Sequence, residues 1–206
     1  MAVLRGGPGT VGPARSLLDL DADPRAIGRA LRRDPVLAVL VARHPGVRVP
    51  GAFDGFEVAV RAVLGQQVSV AGATTLAGRL IRTCGGFPSA PALAGADLAA
   101  VGLTRARASA LRALARAVAD GAVRLEPGAE TGPLLELPGI GPWTVAYIAM
   151  RALRDPDAIP LSDLGLRRAM ERFGLDSRPE AVAARAEGWR PYRAYAAMHL
   201  WASLSE

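Results

Sequence analysis

Apolar residues return every three or four positions in "PRAIGRALRRDPVLAVLVARH", "FEVAVRAVLGQQVSVAGATTLAGRLIRTCG", "TRARASALRALARAVADG", "GPWTVAYIAMRAL" and "YRAYAAMHLWASL". That period matches one face of an α-helix, and no run alternates convincingly enough to read as a strand. Between the periodic stretches, proline or glycine sits with Ser, Thr or Asp, as in "GGFPSAPA", "GAETGP" and "RDPDAIP", the residues that stop one helix and start the next. The pattern predicts an all-α fold of short helices. Inside "AVLGQQVSVAGA" two amides, Gln66 and Gln67, interrupt the apolar run, and helical continuity breaks before Ser69. The opening "RGGPGTVGPA" predicts a flexible or truncated terminus over 1–13, and its glycines lack the Gly-Lys-Ser/Thr of a phosphate loop.

Composition narrows the function classes. With 206 residues and 50% hydrophobic side chains, the chain can bury one sizeable core or two small lobes without metal or disulfide staples. A single cysteine, Cys84, excludes a disulfide framework and a four-cysteine iron–sulfur or zinc site, and His44 and His199 are too few and too distant in sequence to supply one. Cys84 reads as a small core residue and His199 as a structural histidine. No secretory start and no apolar run near ~18 residues appears, so a soluble protein in a reducing cytoplasm is expected, with no membrane partner. The formal charge of +6 points to a polyanion, most simply nucleic acid. All 25 basic residues are arginine, which a biased genome would also produce. Whatever its origin, the absence of lysine removes every side-chain amine that could form a Schiff base.

"LPGIGPWTVAYIAMRAL" holds a tight turn between two helical stretches. Pro138 ends the first, Gly139 and Gly141 allow backbone angles or close approaches that a side chain would forbid, and Pro142 suits the first position of the second. Such a turn points backbone N–H groups outward beside a helix N-terminus, where a phosphate oxygen can bind; an ordinary helix–helix corner has the same look.

Paired with "DPDAIPLSDLGLRRAM" downstream, this segment resembles the hairpin of the helix-hairpin-helix DNA glycosylase superfamily. The downstream segment is similar to that superfamily's Gly/Pro-rich loop and the helix after it, with Asp163 at the catalytic position, twenty residues beyond Trp143. Similarity to the type II branch of bacterial 3-methyladenine DNA glycosylases extends from "LLDLDADPRAIGRAL" to "GWRPYRAYAAMHLW". The resemblance implies a two-lobed helical fold with the active site in the cleft between lobes, one lobe over about 54–134 and the other from 14–53 plus 135–206. Members of that branch carry a further N-terminal α/β domain that this chain is expected to lack. The iron–sulfur cysteines of the endonuclease III branch are absent.

The resemblance also implies roles. A glycosylase flips a nucleotide out of the stack and stabilises an oxocarbenium-like state as the base leaves. Asp163 would supply the carboxylate; alternatively it caps the next helix, unless Ser162 does so. Trp143 stands where strand-cutting branches have lysine, which implies a monofunctional enzyme leaving an abasic site. Trp143, Tyr147 and Trp201 match base-pocket aromatics, and a cationic alkylated purine gains ~0.5–2 kcal/mol from each ring it meets. Core packing is the plainer account of two aromatics four apart. Gln67 matches the residue that fills the gap left by the flipped nucleotide. Gly139, Ile140, Gly141 and Arg167 would meet the DNA backbone, and the carbonyls of Leu135, Leu137 and Ile140 would hold a monovalent cation. Leu164 replaces an aromatic residue of some relatives. Arg105, Arg107, Arg112, Arg116 and Arg168 suit phosphates or a solvated helix face. The expected partner is duplex DNA with 3-methyladenine or 7-methylguanine, bound by a monomer without a catalytic cofactor. A noncatalytic hairpin module and an oxidised-purine glycosylase are the alternatives.

Overall fold

Aspartates and prolines punctuate the first helices. The computed structural model describes residues 8–205. A 3-10 turn at Pro8–Thr10 leads into α1 (Val11–Leu17). The terminus expected to be flexible is therefore helical from Pro8 onward, and residues 1–7 lie outside the described ones. Asp23 caps α2 (Pro24–Leu31) and Asp34 caps α3 (Pro35–Arg43); each carboxylate accepts two backbone N–H groups, with proline in the first turn. No strand occurs among the described residues.

The chain divides into two compact units, Met1–Phe53 with Arg154–Glu206, and Asp54–Leu153. The crossing predicted at 134/135 falls instead at Leu153/Arg154. Its cause is packing: the helix after the hairpin, α9 (Pro142–Arg151), lies against α4 (Gly55–Leu64), so the hairpin stays with the inserted unit.

That inserted unit also contains α5 (Val70–Cys84), α6 (Ala90–Gly95), α7 (Arg105–Ala119) and the short α8 (Gly132–Leu135). Leu64, Leu80, Leu93, Leu111, Leu114 and Ile148 fill its core. Helical continuity does break before Ser69, whose hydroxyl caps α5 by accepting from Gly72 N–H. Cys84, expected in the core, is only half-buried, because it ends α5 just before the left-handed Gly85.

The discontinuous unit is completed by α10 (Leu164–Arg172), α11 (Pro179–Ala186) and α12 (Arg193–Ala202). Two carboxylates, Asp19 buried and Asp34 part-buried, join its segments. Asp19 accepts from Val49 N–H at 3.1 Å, Tyr195 Oη at 2.9 Å and Arg154 Nη2 at 2.9 Å. Burial and the Asp19 carboxylate push the Tyr195 phenol up, so it remains a donor. Asp34 accepts, besides its cap, the indole N–H of Trp189 at 2.9 Å and Arg185 Nη2 at 2.8 Å. Such charges survive burial only because every approach is occupied by a donor. His199 is buried on α12, as expected of a structural histidine.

Candidate active site

In the discontinuous unit, the loop before Asp163 is fastened to α12 at both ends. Arg193 Nε reaches Asp157 Oδ1 and the Asp157 carbonyl, each at 2.9 Å, and Ala194 N–H donates to the Pro156 carbonyl at 3.0 Å. At the far end Trp201 Nε1 donates to Asp163 Oδ1 at 2.8 Å. The same oxygen accepts Leu166 N–H at 2.8 Å and thereby caps α10. Asp163 thus performs the capping that the sequence also allowed for Ser162, because its extended backbone (φ −63°, ψ 130°) aims the carboxylate at the first turn. Capping and chemistry are compatible here: the hydrogen bonds to Oδ1 from Leu166 N–H and Trp201 Nε1 fix the carboxylate's orientation.

Sequence reasoning passed over Gly165. A Cβ there would lie 3.0 Å from Asp163 Oδ1 and 3.3 Å from Trp201 Nε1, closer than an undisturbed contact allows. Glycine therefore leaves the Asp163–Trp201 bond its space. The signal was present as a glycine inside a helix first turn, where its propensity is poor. Trp201 is half-buried, and Leu164 is 57% exposed beside Asp163. Arg167 is half-buried and donates through Nε to the Ser177 carbonyl at 3.2 Å, so part of its fork braces the segment after α10, while Arg168 is exposed.

In the inserted unit, Trp143 and Tyr147 are half-buried rather than core, and their rings stack at 5.4 Å with 16° between planes. Arg151 continues the column, its guanidinium 5.7 Å from the Tyr147 centroid. Three consecutive turns of α9 therefore present aromatic, aromatic, cation.

The hairpin between α8 and α9 turns through Gly139 at φ +79°. Gly139 has a second reason to be glycine: a Cβ would sit 2.8 Å from that of Ala110 on α7. Its bare face packs inward, so the close approach expected of DNA at this residue is met first by the fold. Ile140 is 5% exposed, so its side chain belongs to the core, and its N–H donates to the Leu137 carbonyl at 3.1 Å. Gly141 (φ −96°, ψ 175°) has open space where a Cβ would be, and Pro142 follows as the first helical residue. Gln66 holds this turn in place: its amide donates to the Gly139 carbonyl at 2.9 Å and to Thr144 Oγ1 at 3.0 Å. The Gln66 carbonyl accepts from Arg107, so that arginine serves the fold and not a phosphate. Gln67 beside it is exposed in the left-handed region at φ +54°, a strained state for a non-glycine residue, and Val70 nearby is 85% exposed. The two glutamines have separated duties, one bracing and one projecting.

Comparison with known proteins fits this geometry. Residues 60–193 match the family described as HhH-GPD superfamily base excision DNA repair protein, and residues 4–54 match the AlkA N-terminal domain. In this structure the described part of that second stretch is helical, although it is the domain expected to be missing. The chain is 46% identical over 92% of its length to a probable bifunctional transcriptional activator/DNA repair enzyme AlkA of Mycobacterium tuberculosis, spanning 42% of that relative. It is 37% identical to DNA-3-methyladenine glycosylase 2 of Escherichia coli, with 90% of this chain and 68% of the relative covered. Among solved structures, the Schizosaccharomyces pombe 3-methyladenine DNA glycosylase in complex with abasic DNA superimposes with a TM-score of 0.75 at 22% identity, covering 88% of this chain and 97% of that one. No helix among the described residues is long and apolar enough to cross a membrane.

Proposed function

Because this chain belongs to the HhH-GPD superfamily of base excision DNA repair proteins, we propose that it releases alkylated purines, 3-methyladenine and 7-methylguanine, from duplex DNA by monofunctional hydrolysis. One observation carries the reading. Asp163, at the superfamily's catalytic position, is held by a helix N-terminus and an indole N–H on a loop fastened to α12. A phosphate clamp has no use for an oriented carboxylate and half-buried aromatics; a glycosylase needs both. The carboxylate stabilises the oxocarbenium-like sugar as the base departs and orients the attacking water. Trp143 and Tyr147 offer electron-rich rings to a cationic base. Gln67 fills the gap in the duplex, and the N–H groups around Gly141 receive the backbone phosphate. With no lysine in the chain, no side-chain amine attacks the sugar, and the abasic strand stays intact.

A monovalent cation at the hairpin belongs to the same reading. The carbonyls of Leu135, Leu137 and Ile140 are three neutral oxygens, the donor chemistry that suits a singly charged hard ion. Leu137 accepts from Ile140 N–H at 3.1 Å, which leaves that oxygen a second lone pair. When bound, the ion would add positive charge beside the N–H groups that face the phosphate.

The test is a panel of duplexes, each with one defined lesion, incubated with the protein and analysed before and after alkali. Release of the methylated base with strand cleavage only after alkali is expected. Strand cleavage without alkali, or an adduct trapped stoichiometrically by borohydride, refutes the monofunctional assignment. Binding without release on every lesion leaves a noncatalytic module in its place.

A further inference from the structure

The inserted unit carries a second feature suited to DNA, and it lies on α7 rather than on the hairpin. Arg105, Ser109, Arg112 and Arg116 follow one another at helical spacing and line a cavity of about 640 Å³ that Pro138 of the hairpin also borders. The side chains of Arg105 and Arg116 are exposed and make no hydrogen bond or ion pair among the described residues, and Arg112 gives one long bond, 3.3 Å, to the Ala96 carbonyl. Asp97 is the one carboxylate in the lining, and its Oδ1 accepts Ala99 N–H at 2.9 Å. Elsewhere in the same unit Arg61 and Arg124 are neutralised by Glu57 and Glu126. Three guanidiniums against one carboxylate therefore leave this groove positive, and α7 itself separates them from Arg107, which is turned to the Gln66 carbonyl.

We propose that this groove binds the phosphodiester backbone of the duplex that meets the hairpin, extending the footprint beyond it along one strand. The inference rests on the reading of this unit as DNA-binding and adds the site. Pro138 is shared by hairpin and groove, so a strand whose phosphate sits at the hairpin N–H groups continues into the groove without leaving the protein surface. Arg105 to Arg116 spans ~16 Å along the helix axis, enough for several consecutive phosphates. Planar forks on a rigid helix, with Ser109 between them, suit phosphate oxygens better than a diffuse charge does. The contacts carry no base information, so they hold damaged and undamaged duplex alike.

The measurement is the salt dependence of binding to a labelled undamaged duplex, for wild type and for Arg105→Ala/Arg116→Ala. Neither side chain supports the fold, so the variant's melting temperature stays at the wild-type value. Each phosphate contact contributes about 0.9 to the slope of log affinity against log salt, so the double variant should lose about 1.8 of it. Arg82→Ala, an exposed arginine at the end of α5 outside the groove, should leave the slope intact. An unchanged slope in the double variant overturns the proposal while the glycosylase reading stands. An equal loss per charge in Arg82→Ala overturns it too, by reducing the effect to net charge. A wild-type protein that does not bind duplex at all sinks the underlying reading as well.

Discussion

Asp163→Asn separates catalysis from architecture because the structure gives the carboxylate two structural duties that an amide can perform. Asparagine caps helices about as well as aspartate, so the bond to Leu166 N–H survives at almost no cost. The bond from Trp201 Nε1 survives as a neutral one, losing the charge assistance, about 1 kcal/mol. For a chain of this size that lowers the melting temperature by roughly 2–4 °C. Asp163→Ala deletes the cap and leaves the indole N–H unpaired, together about 2–3 kcal/mol and roughly 4–12 °C. Catalysis orders the variants differently. Removing the charge that faces an oxocarbenium-like state costs about 3–4 kcal/mol of barrier, so both variants should release base about 100- to 1,000-fold more slowly in single turnover. Affinity for a duplex with an abasic analogue should persist or tighten, since a negative charge near phosphates has gone. Base release that tracks melting temperature across wild type, Asn and Ala, with Asn close to wild type, would refute the catalytic role and leave Asp163 a cap.

Gly139→Ala should lose about 2–4 kcal/mol from its left-handed backbone and the overpacked Ala110 contact, whereas Gly141→Ala should melt like wild type yet bind duplex more weakly; equal affinity for Gly141→Ala and wild type contradicts the phosphate approach at that glycine. Gln67→Gly keeps the φ of +54° comfortable while deleting the side chain, so it should slow excision from a paired lesion with the fold intact, and unchanged excision rejects the gap-filling role. Asp34, 10% exposed at its side chain, holds Arg185, Trp189 and a helix start, so Asp34→Ala should cost about 3–5 kcal/mol in denaturant unfolding. Burial raises the Asp34 pKa, but its bonds to Arg185 and Trp189 outweigh that and hold it below the usual carboxylate value; its share of stability is present above about pH 4 and lost as pH falls through the lower folded value. Burial, with His44, holds the His199 imidazole down at about 4, so stability should be full above about pH 6.5 and decline toward pH 4, by roughly 2 kcal/mol at pH 5; a His199→Gln variant lacking that decline is expected, and an identical pH profile argues against it.

Local chemistry was readable in the sequence wherever partners are near neighbours. The Asp-Pro helix starts at Asp23 and Asp34 and the break before Ser69 all depend on residues within four positions of each other. The hairpin was readable as a turn, but the packing of Gly139 on Ala110 was not, since nothing at position 139 names its neighbour on α7. Gln67 was singled out through resemblance, but nothing in the sequence told that Gln66 beside it braces the hairpin while the left-handed backbone sends Gln67 outward. The buried pairs were invisible: Asp19 meets Arg154 at a separation of 135 positions and Tyr195 at 176, and each reads alone as a solvated or core residue. Asp163 was legible through resemblance, while its bond to Trp201, 38 positions on, arises only from the packing of α12.

The insertion of one unit within the other has a consequence for the order of events on the ribosome. Asp54–Leu153 is continuous, so all its packing partners are available once it has emerged, and it can fold while synthesis continues. The segment before it cannot, because Asp34 must wait 155 residues for the indole of Trp189. At ~5–20 residues per second that wait is roughly 8–30 s, during which the ionised side chains of Asp19 and Asp34 remain hydrated and Leu37 and Leu40 have no completed core to enter. The side chains whose burial looks costly in the finished fold are, in the nascent chain, still met by water instead of by their distant partners.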